Sequence, residues 1–393
     1  MKKKETKAAA LLFAAVIVTA LNLRAPITGV GSLVDAMRAD LGLSGAVTGI
    51  LTTLPVLIFA FASLLAGRLA ARFGIGRTLT GSMLLVAAGT AVRSWLGGAG
   101  LVLGMVIIGV GIACGNVLLP VVVKARWPGR IGPMTSLYTT AQSAFAGLAA
   151  GICVPLSLLP GMGWRGALAI WGVPALAAAF LWGVQRDTLS AGAAALPDRR
   201  DGANVWRSRT AWYCTAYMGT QAAVFYSCAA WLPAILTAKG VGSAAAGLMA
   251  SLYQLVGIAS NFFAPSMAAR MRDQRPLTGA VGAAYIAGAA ILWLGRTPGV
   301  LFAGVVICGL CTGCAFSLCM AFIGMRTRSA ADASRLSVML QAVGYAVAAL
   351  GPVRLGRVLD ATGSWSAPLA CLLAMVAVNS LAGQLAGKPG WVE

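Results

Sequence analysis

The chain is a succession of long apolar runs separated by short polar segments, with no sustained alternation of period two. A helix that crosses a bilayer needs about 20 mostly apolar residues. On that measure the pattern predicts twelve helical spans, at 8–37, 44–70, 77–97, 100–124, 133–158, 164–184, 209–237, 243–269, 277–296, 299–325, 333–358 and 365–387. One polar segment is longer than the rest: QRDTLSAGAAALPDRRDGANVWRSR, residues 185–209. It is rich in Gly, Ala, Pro and charge, and reads as a linker. The predicted division is an N-terminal six-helix half over 1–184, a cytoplasmic linker over 185–208 and a C-terminal six-helix half over 209–393.

Composition narrows this picture. Of the 393 residues, 59% are hydrophobic and 10% charged, against roughly 45–50% and about 25% in a soluble globular domain. So much apolar surface fits no water-soluble core. Continuous runs, rather than alternating segments of about 10 residues, point to helices and away from an outer-membrane barrel. The expected fold class is therefore an all-α membrane protein. MKKKETKAAALLFAAVIV has the basic-then-apolar order of a signal peptide. Its apolar run continues past an ordinary h-region and no clear small-x-small site ends it, which favours a first membrane span.

Charge tests the span pattern. The net charge of +20 does not imply nucleic acid, because the basic residues punctuate apolar runs instead of clustering in a soluble domain. With both termini cytoplasmic, the inside segments hold Lys2, Lys3, Lys4 and Lys7; Arg68, Arg72 and Arg77; Lys124, Arg126 and Arg130; and Arg186, Arg199, Arg200, Arg207 and Arg209. They also hold Arg270, Arg272 and Arg275; Arg326, Arg328 and Arg335; and Lys388. That is 22 of the 30 basic residues, and Arg38, Arg93, Arg165, Lys239 and Arg296 are read as single residues in outside turns. The alternation is the positive-inside pattern of a multi-pass membrane protein.

The two halves repeat. LAARFGIGRTLTG (69–81) aligns without a gap on MAARMRDQRPLTG (267–279), and VIIGVGIACG (106–115) on VICGLCTGCA (306–315). Gly163-Trp164 likewise parallels Ser364-Trp365. Repeats in the same order and topology imply pseudo-symmetric parallel halves, the architecture of the major facilitator fold. Gly67 with Arg72, Gly74 and Arg77 resembles that superfamily's gating loop motif between helices 2 and 3, with Ala71 standing where the motif has Asp. LNLRAPITGVGSL, GILTTLPVLIFA and GIACGNVLLPVVVKARWP resemble the cyanate/2-nitroimidazole permease family within it. The resemblance implies a central cavity lined by helices 1, 4, 7 and 10 with their partners, and transport of a small anionic or planar polar solute by alternating access.

Polar residues inside those spans are the candidate substrate-binding groups: Asn22, Arg24, Thr28, Asn116, Gln142, Tyr217, Gln221, Tyr253, Gln254, Gln341, Tyr345 and Arg354. Arg24 stands out, since an arginine at the bilayer centre costs about 2.5–3.5 kcal/mol on insertion scales. It is read either as a fixed cation for an anionic solute or as a structural arginine bonded to helix carbonyls. Arg suits the first role because it stays charged and presents a planar donor fork. Pro26, two residues on, weakens the helix there. The amides are read as donors to solute or as interhelical bonds, and Tyr217 and Tyr253 as stacking groups or packing. Arg354 and Arg357 share a helix face and either attract anions or snorkel to the interface.

Absences matter as well. The chain has no histidine, which excludes His-based metal sites and relays. Cys308, Cys311 and Cys314 lie on one glycine-rich helix face and are read as close packing rather than a metal site. All ten carboxylates fall in loops, tails or span ends, with Asp35 the remaining proton-relay candidate. The solute then moves by uniport or exchange, or carries its own proton. No Walker motif is present, and a lipid-modifying enzyme would need clustered acids, a nucleophile–base pair or metal ligands. The expected protein is not an enzyme. It has no cofactor or metal, meets a small-molecule substrate and the lipid bilayer but no nucleic acid, and is a monomer. A broader drug or metabolite efflux transporter is the alternative.

Overall fold

A computed structural model describes residues 2–42, 45–185 and 204–393, with the side chains of 2–7, 35, 45–53 and 244 left out. The linker residues 186–203 and the Asp35 side chain therefore lie outside the described residues. Among those described, twelve helical segments are long and apolar enough to cross a membrane. The protein is an all-α, multi-pass membrane protein.

The chain groups into two compact units, Met1–Arg126 with Leu137–Gly202, and Trp127–Ser136 with Ala203–Glu393. The first contains α1 (Lys2–Asn22), α2 (Ala25–Ser32), α3 (Val34–Leu41), α4 (Gly45–Phe73), α5 (Ile75–Trp95) and α6 (Gly97–Arg126). It also holds most of α7 (Ile131–Ser157), then α8 (Gly163–Ala169) and α9 (Gly172–Val184). α6 packs on α5 and α4, and α5 in turn on α9.

The second unit contains α10 (Arg209–Ala238), α11 (Ser243–Arg270), α12 (Arg275–Leu294), α13 (Pro298–Met325), α14 (Ala330–Thr362) and α15 (Ser366–Gly387). Here α10 lies against α14 and α15, α11 against α13, and α12 against α15 and α13. Helix ends follow local chemistry. Gly363 closes α14 in the left-handed conformation, and the Ser329 hydroxyl accepts from the Asp332 amide at 3.1 Å to start it.

Two predicted spans are not single helices. The first is broken at Leu23–Arg24 and again at Leu33, and the sixth at Ile170–Trp171. Pro26 has no N–H to give the Asn22 carbonyl, so the first break follows from the sequence. The break in the sixth span leaves the last carbonyls of α8 without helical partners. Ala167 O instead meets the Cys153 thiol at 3.8 Å, and Leu168 O takes a donor from Arg93 at 3.2 Å.

Candidate functional site

In the first unit the candidates gather at the break in helix 1. Arg24 is half-buried and precedes α2 with φ −138° and ψ −38°. Its carbonyl accepts from the amides of Ile27 and Thr28, both at 3.0 Å. Asn22 is buried, and its Nδ2 donates to Val18 O at 2.7 Å, serving the last turn of α1. Thr28 donates to Ala146 O at 3.1 Å and Ser32 to Ala150 O at 2.8 Å, which ties α2 to α7. Trp182 Nε1 donates to Thr19 Oγ1 at 2.7 Å and anchors α1 to α9. Asn116 and Gln142, both buried, are brought together at 3.4 Å between α6 and α7.

Arg93 corrects the sequence reading. It is not in an outside turn but in the last turn of α5, 0% exposed. Its guanidinium donates to Pro26 O and to Leu168 O, and touches Met105 Sδ at 3.7 Å. An arginine within an apolar run was the signal that marked Arg24, and it applied equally here. Near the same end of the unit, the Asp40 carboxylate pairs with Arg165 at 2.7 Å and accepts from Trp164 Nε1 at 3.0 Å, with Arg165 stacked on the Trp164 ring.

The second unit holds a neutral cluster instead. The Thr312 hydroxyl meets Tyr253 Oη at 2.8 Å and Tyr285 Oη at 2.6 Å, and the Thr312 carbonyl accepts from Gln221 Nε2 at 3.4 Å. All four residues are buried, and Phe225 stacks on Tyr253. Tyr285 and Thr312 were not singled out in the sequence. The only hint was their position in glycine-rich helix faces. Tyr217 is buried against Phe322 and Gly383, with its carbonyl accepting from Asn379 at 3.1 Å. Gln341 is buried beside Met320 Sδ at 3.8 Å, and Tyr345 is buried on the same helix. Gln254, Arg354 and Arg357 are exposed.

Arg326 is this unit's buried arginine. Its Nε donates to Ala386 O at 3.1 Å and its Nη2 to Gln274 Oε1 at 2.6 Å and Gly387 O at 2.9 Å. Burial lowers its pKa from the ordinary arginine value. Cys308 and Cys311 are buried and Cys314 half-buried in α13, where Gly313 lies so close to Gly257 and Ser260 of α11 that a Cβ would collide with both. Among the described residues, no group of three or more His, Cys, Asp or Glu could hold a metal ion.

The two copies of the repeated loop are built differently. Gly67 lies in α4, Arg72 and Arg77 are exposed, and Arg72 stands 5.3 Å over the Phe73 ring. Gly74 turns the chain at φ 83° and ψ 155°, a conformation open in practice to glycine alone. In the second copy Gln274 donates to the Ala268 and Met271 carbonyls and so closes α11. Asp273 accepts from the Arg275 side chain and amide, which holds its carboxyl below the usual value.

With this geometry in hand, the kinship of the chain can be read. A family model, Major Facilitator Superfamily, matches residues 12–352. The chain belongs to the Major Facilitator Superfamily. Over 384 residues this superfamily member is 39% identical to Uncharacterized transporter YycB of Bacillus subtilis (strain 168), covering 97% of the chain and 94% of the relative. It is 37% identical to the 2-nitroimidazole transporter of Escherichia coli (strain K12), over 96% and 95% of the two chains. Identity to Cyanate transport protein CynX of the same organism is 28%, over 92% and 94%. The fold matches the proton:xylose symporter XylE with a TM-score of 0.78 at 13% identity, covering 97% and 95% of the two chains. The protein is a Major Facilitator Superfamily transporter and not an enzyme, and it resembles the cyanate/2-nitroimidazole permeases within that superfamily.

Proposed function

We propose that the protein is a secondary transporter that moves a small anionic or planar polar solute, of the cyanate or nitroimidazole kind, across the bacterial inner membrane by alternating access, with both termini cytoplasmic. The observation that carries this reading is Arg24 at the break between α1 and α2, half-buried within the Ala8–Ser32 span. The position has two electrostatic faces. The guanidinium follows the negative end of α1, which favours a cation, and adjoins the positive end of α2, which favours an anion. Discontinuous helices in secondary transporters present such ends to their solutes. The names of two relatives, a 2-nitroimidazole transporter and a cyanate transport protein, support the same solute chemistry. Asn116 and Gln142 are the amides proposed to donate to solute oxygens or nitrogens.

The test is uptake of cyanate and of 2-nitroimidazole into proteoliposomes holding the purified protein. The wild type is expected to take up at least one of them, and Arg24→Ala to lose that uptake while remaining folded. Normal uptake by Arg24→Ala overturns the reading of Arg24. A second arm imposes a pH gradient. The described carboxylates that form ion pairs, Asp40, Asp273, Asp332 and Glu393, do so at helix ends or in turns. Cyanate flux is therefore expected to be independent of the gradient.

A further inference from the structure

Arg93 is a second charge inside the first unit, and the reading of Arg24 does not use it. It lies in the last turn of α5, inside the Ile75–Trp95 span, and is 0% exposed. Burying a guanidinium is tolerated where its donors are met. Here one donor on each terminal nitrogen is met by main chain: Pro26 O in the first turn of α2 and Leu168 O in the last turn of α8. Nε finds no acceptor, and no carboxylate contacts the group, among the described residues. A charge held by carbonyls keeps its full positive sign, whereas one paired with a carboxylate is cancelled. The carbonyl it grips belongs to the residue two places after Arg24.

The rest of α2 is held from another side. Thr28 and Ser32 bond to the carbonyls of Ala146 and Ala150 on α7. Those two bonds hold the far end of α2, and the Arg93 bond to Pro26 O holds its first turn, beside the buried Ala25. Gly104 of α6 packs directly on the backbone of Arg93, where a Cβ would come within 2.5 Å of the Arg93 amide nitrogen. The arginine therefore has little freedom to move along α5.

We propose that Arg93 is a positioning residue for Arg24: by clamping Pro26 O and Leu168 O it sets the depth and direction of the helix-1 break, and its uncancelled charge favours anions at that break. The inference rests on the reading of Arg24 as the solute's cation. It touches no solute itself.

The test compares wild type, Arg93→Lys, Arg93→Met and Arg24→Ala in proteoliposomes, with cyanate as the probe. KM and Vmax are measured together with the thermal midpoint of each purified variant. A positioning role raises KM for cyanate about tenfold or more in Arg93→Met, with Vmax per folded protein little changed. Arg93→Lys keeps the charge but not the two-carbonyl fork, and is expected to show a smaller rise. A purely structural role would lower the midpoint and the amount of folded protein while leaving KM where it was. Wild-type KM in either folded Arg93 variant overturns the inference. Should Arg93→Met not fold, Arg93→Lys decides alone, and loss of folding in both assigns Arg93 to stability and overturns it as well. Normal uptake by Arg24→Ala removes the underlying reading instead, as does a wild type that takes up neither cyanate nor 2-nitroimidazole; where the wild type takes up 2-nitroimidazole alone, that solute replaces cyanate as the probe. An inactive Arg24→Ala beside Arg93 variants of unchanged KM removes only this one.

Discussion

The first helices of the two units solve the same problem in opposite ways. Helix 1 is broken in mid-span at Leu23–Arg24 and carries a half-buried arginine there, with the buried Arg93 gripping the chain two residues further on. Its counterpart α10 runs unbroken from Arg209 to Ala238, and the polar group that it contributes, Gln221, joins the neutral cluster around Thr312. The difference has a physical origin. A broken helix has carbonyls and dipole ends to spare, and these can hold a cation without a carboxylate. An unbroken helix frees no dipole ends in mid-span, and the buried polar side chains here meet neutral partners, a main-chain carbonyl for Gln221 and a hydroxyl for Tyr253 and Tyr285. The first unit is thereby equipped to attract charge, and the second to hold a shape.

The sharpest way to break this comparison is substitution at the charge. Arg24→Ala is expected to reduce anion uptake by about 100-fold or more, the scale of losing one well-placed charged contact, with little change in melting temperature. Thr312→Val should do the reverse. It strips the shared partner from two buried tyrosine hydroxyls, each worth about 1–3 kcal/mol when left unsatisfied, so the melting temperature falls while KM for the anion holds. If Thr312→Val instead raised KM as Arg24→Ala does, the neutral cluster would belong to the solute site and the contrast would dissolve.

Smaller effects test the repeated loop. Gly74→Ala is expected to cost about 1–3 kcal/mol, read by thermal denaturation, because its φ is positive and its ψ extended. Gln274→Ala should cost about 1–2 kcal/mol through loss of the α11 closure and of the Arg326 contact. Least of all is Asp273. Its folded pKa lies below the ordinary aspartate value of about 3.9, so the folded state binds fewer protons and stability rises with pH through that window. The contribution is present at neutral pH and is lost as the pH falls through the depressed value. Wild type and Asp273→Asn should therefore differ slightly in melting temperature at pH 7 and converge in strong acid.

Much of this molecule was legible from its residues. The spans came from apolar run length alone; the fifth, expected at 133–158, is Pro128–Ser157 and the tenth, expected at 299–325, is Pro298–Met325. Pro26 marked the break in helix 1 and Arg24 the charge beside it. Other features were not legible. Arg93 was read as a turn residue because it stands near a span's end, where basic residues ordinarily snorkel. Its partners are carbonyls of Pro26 and Leu168, distant in sequence and invisible to any pattern of side chains. Tyr253, Gln221, Tyr285 and Thr312 come from four different helices, and nothing local announces that they meet.

The sequence by itself determined that the chain is a twelve-span membrane protein built as a repeat, and where its charges fall along each run, because bilayer thickness and the cost of desolvating charge act on each segment independently. Only the tertiary structure decided which polar groups are spent on one another, as Gln142 is on Asn116 and Tyr253 on Thr312, because these hydrogen bonds are made between segments that folding alone brings together. It also decided that the arginine at the end of α5 turns inward to hold the break beside Arg24. The Leu168 carbonyl, left over at the break in the sixth span, and the Pro26 carbonyl in the first turn of α2 converge there, and their direction depends on packing rather than on residue type.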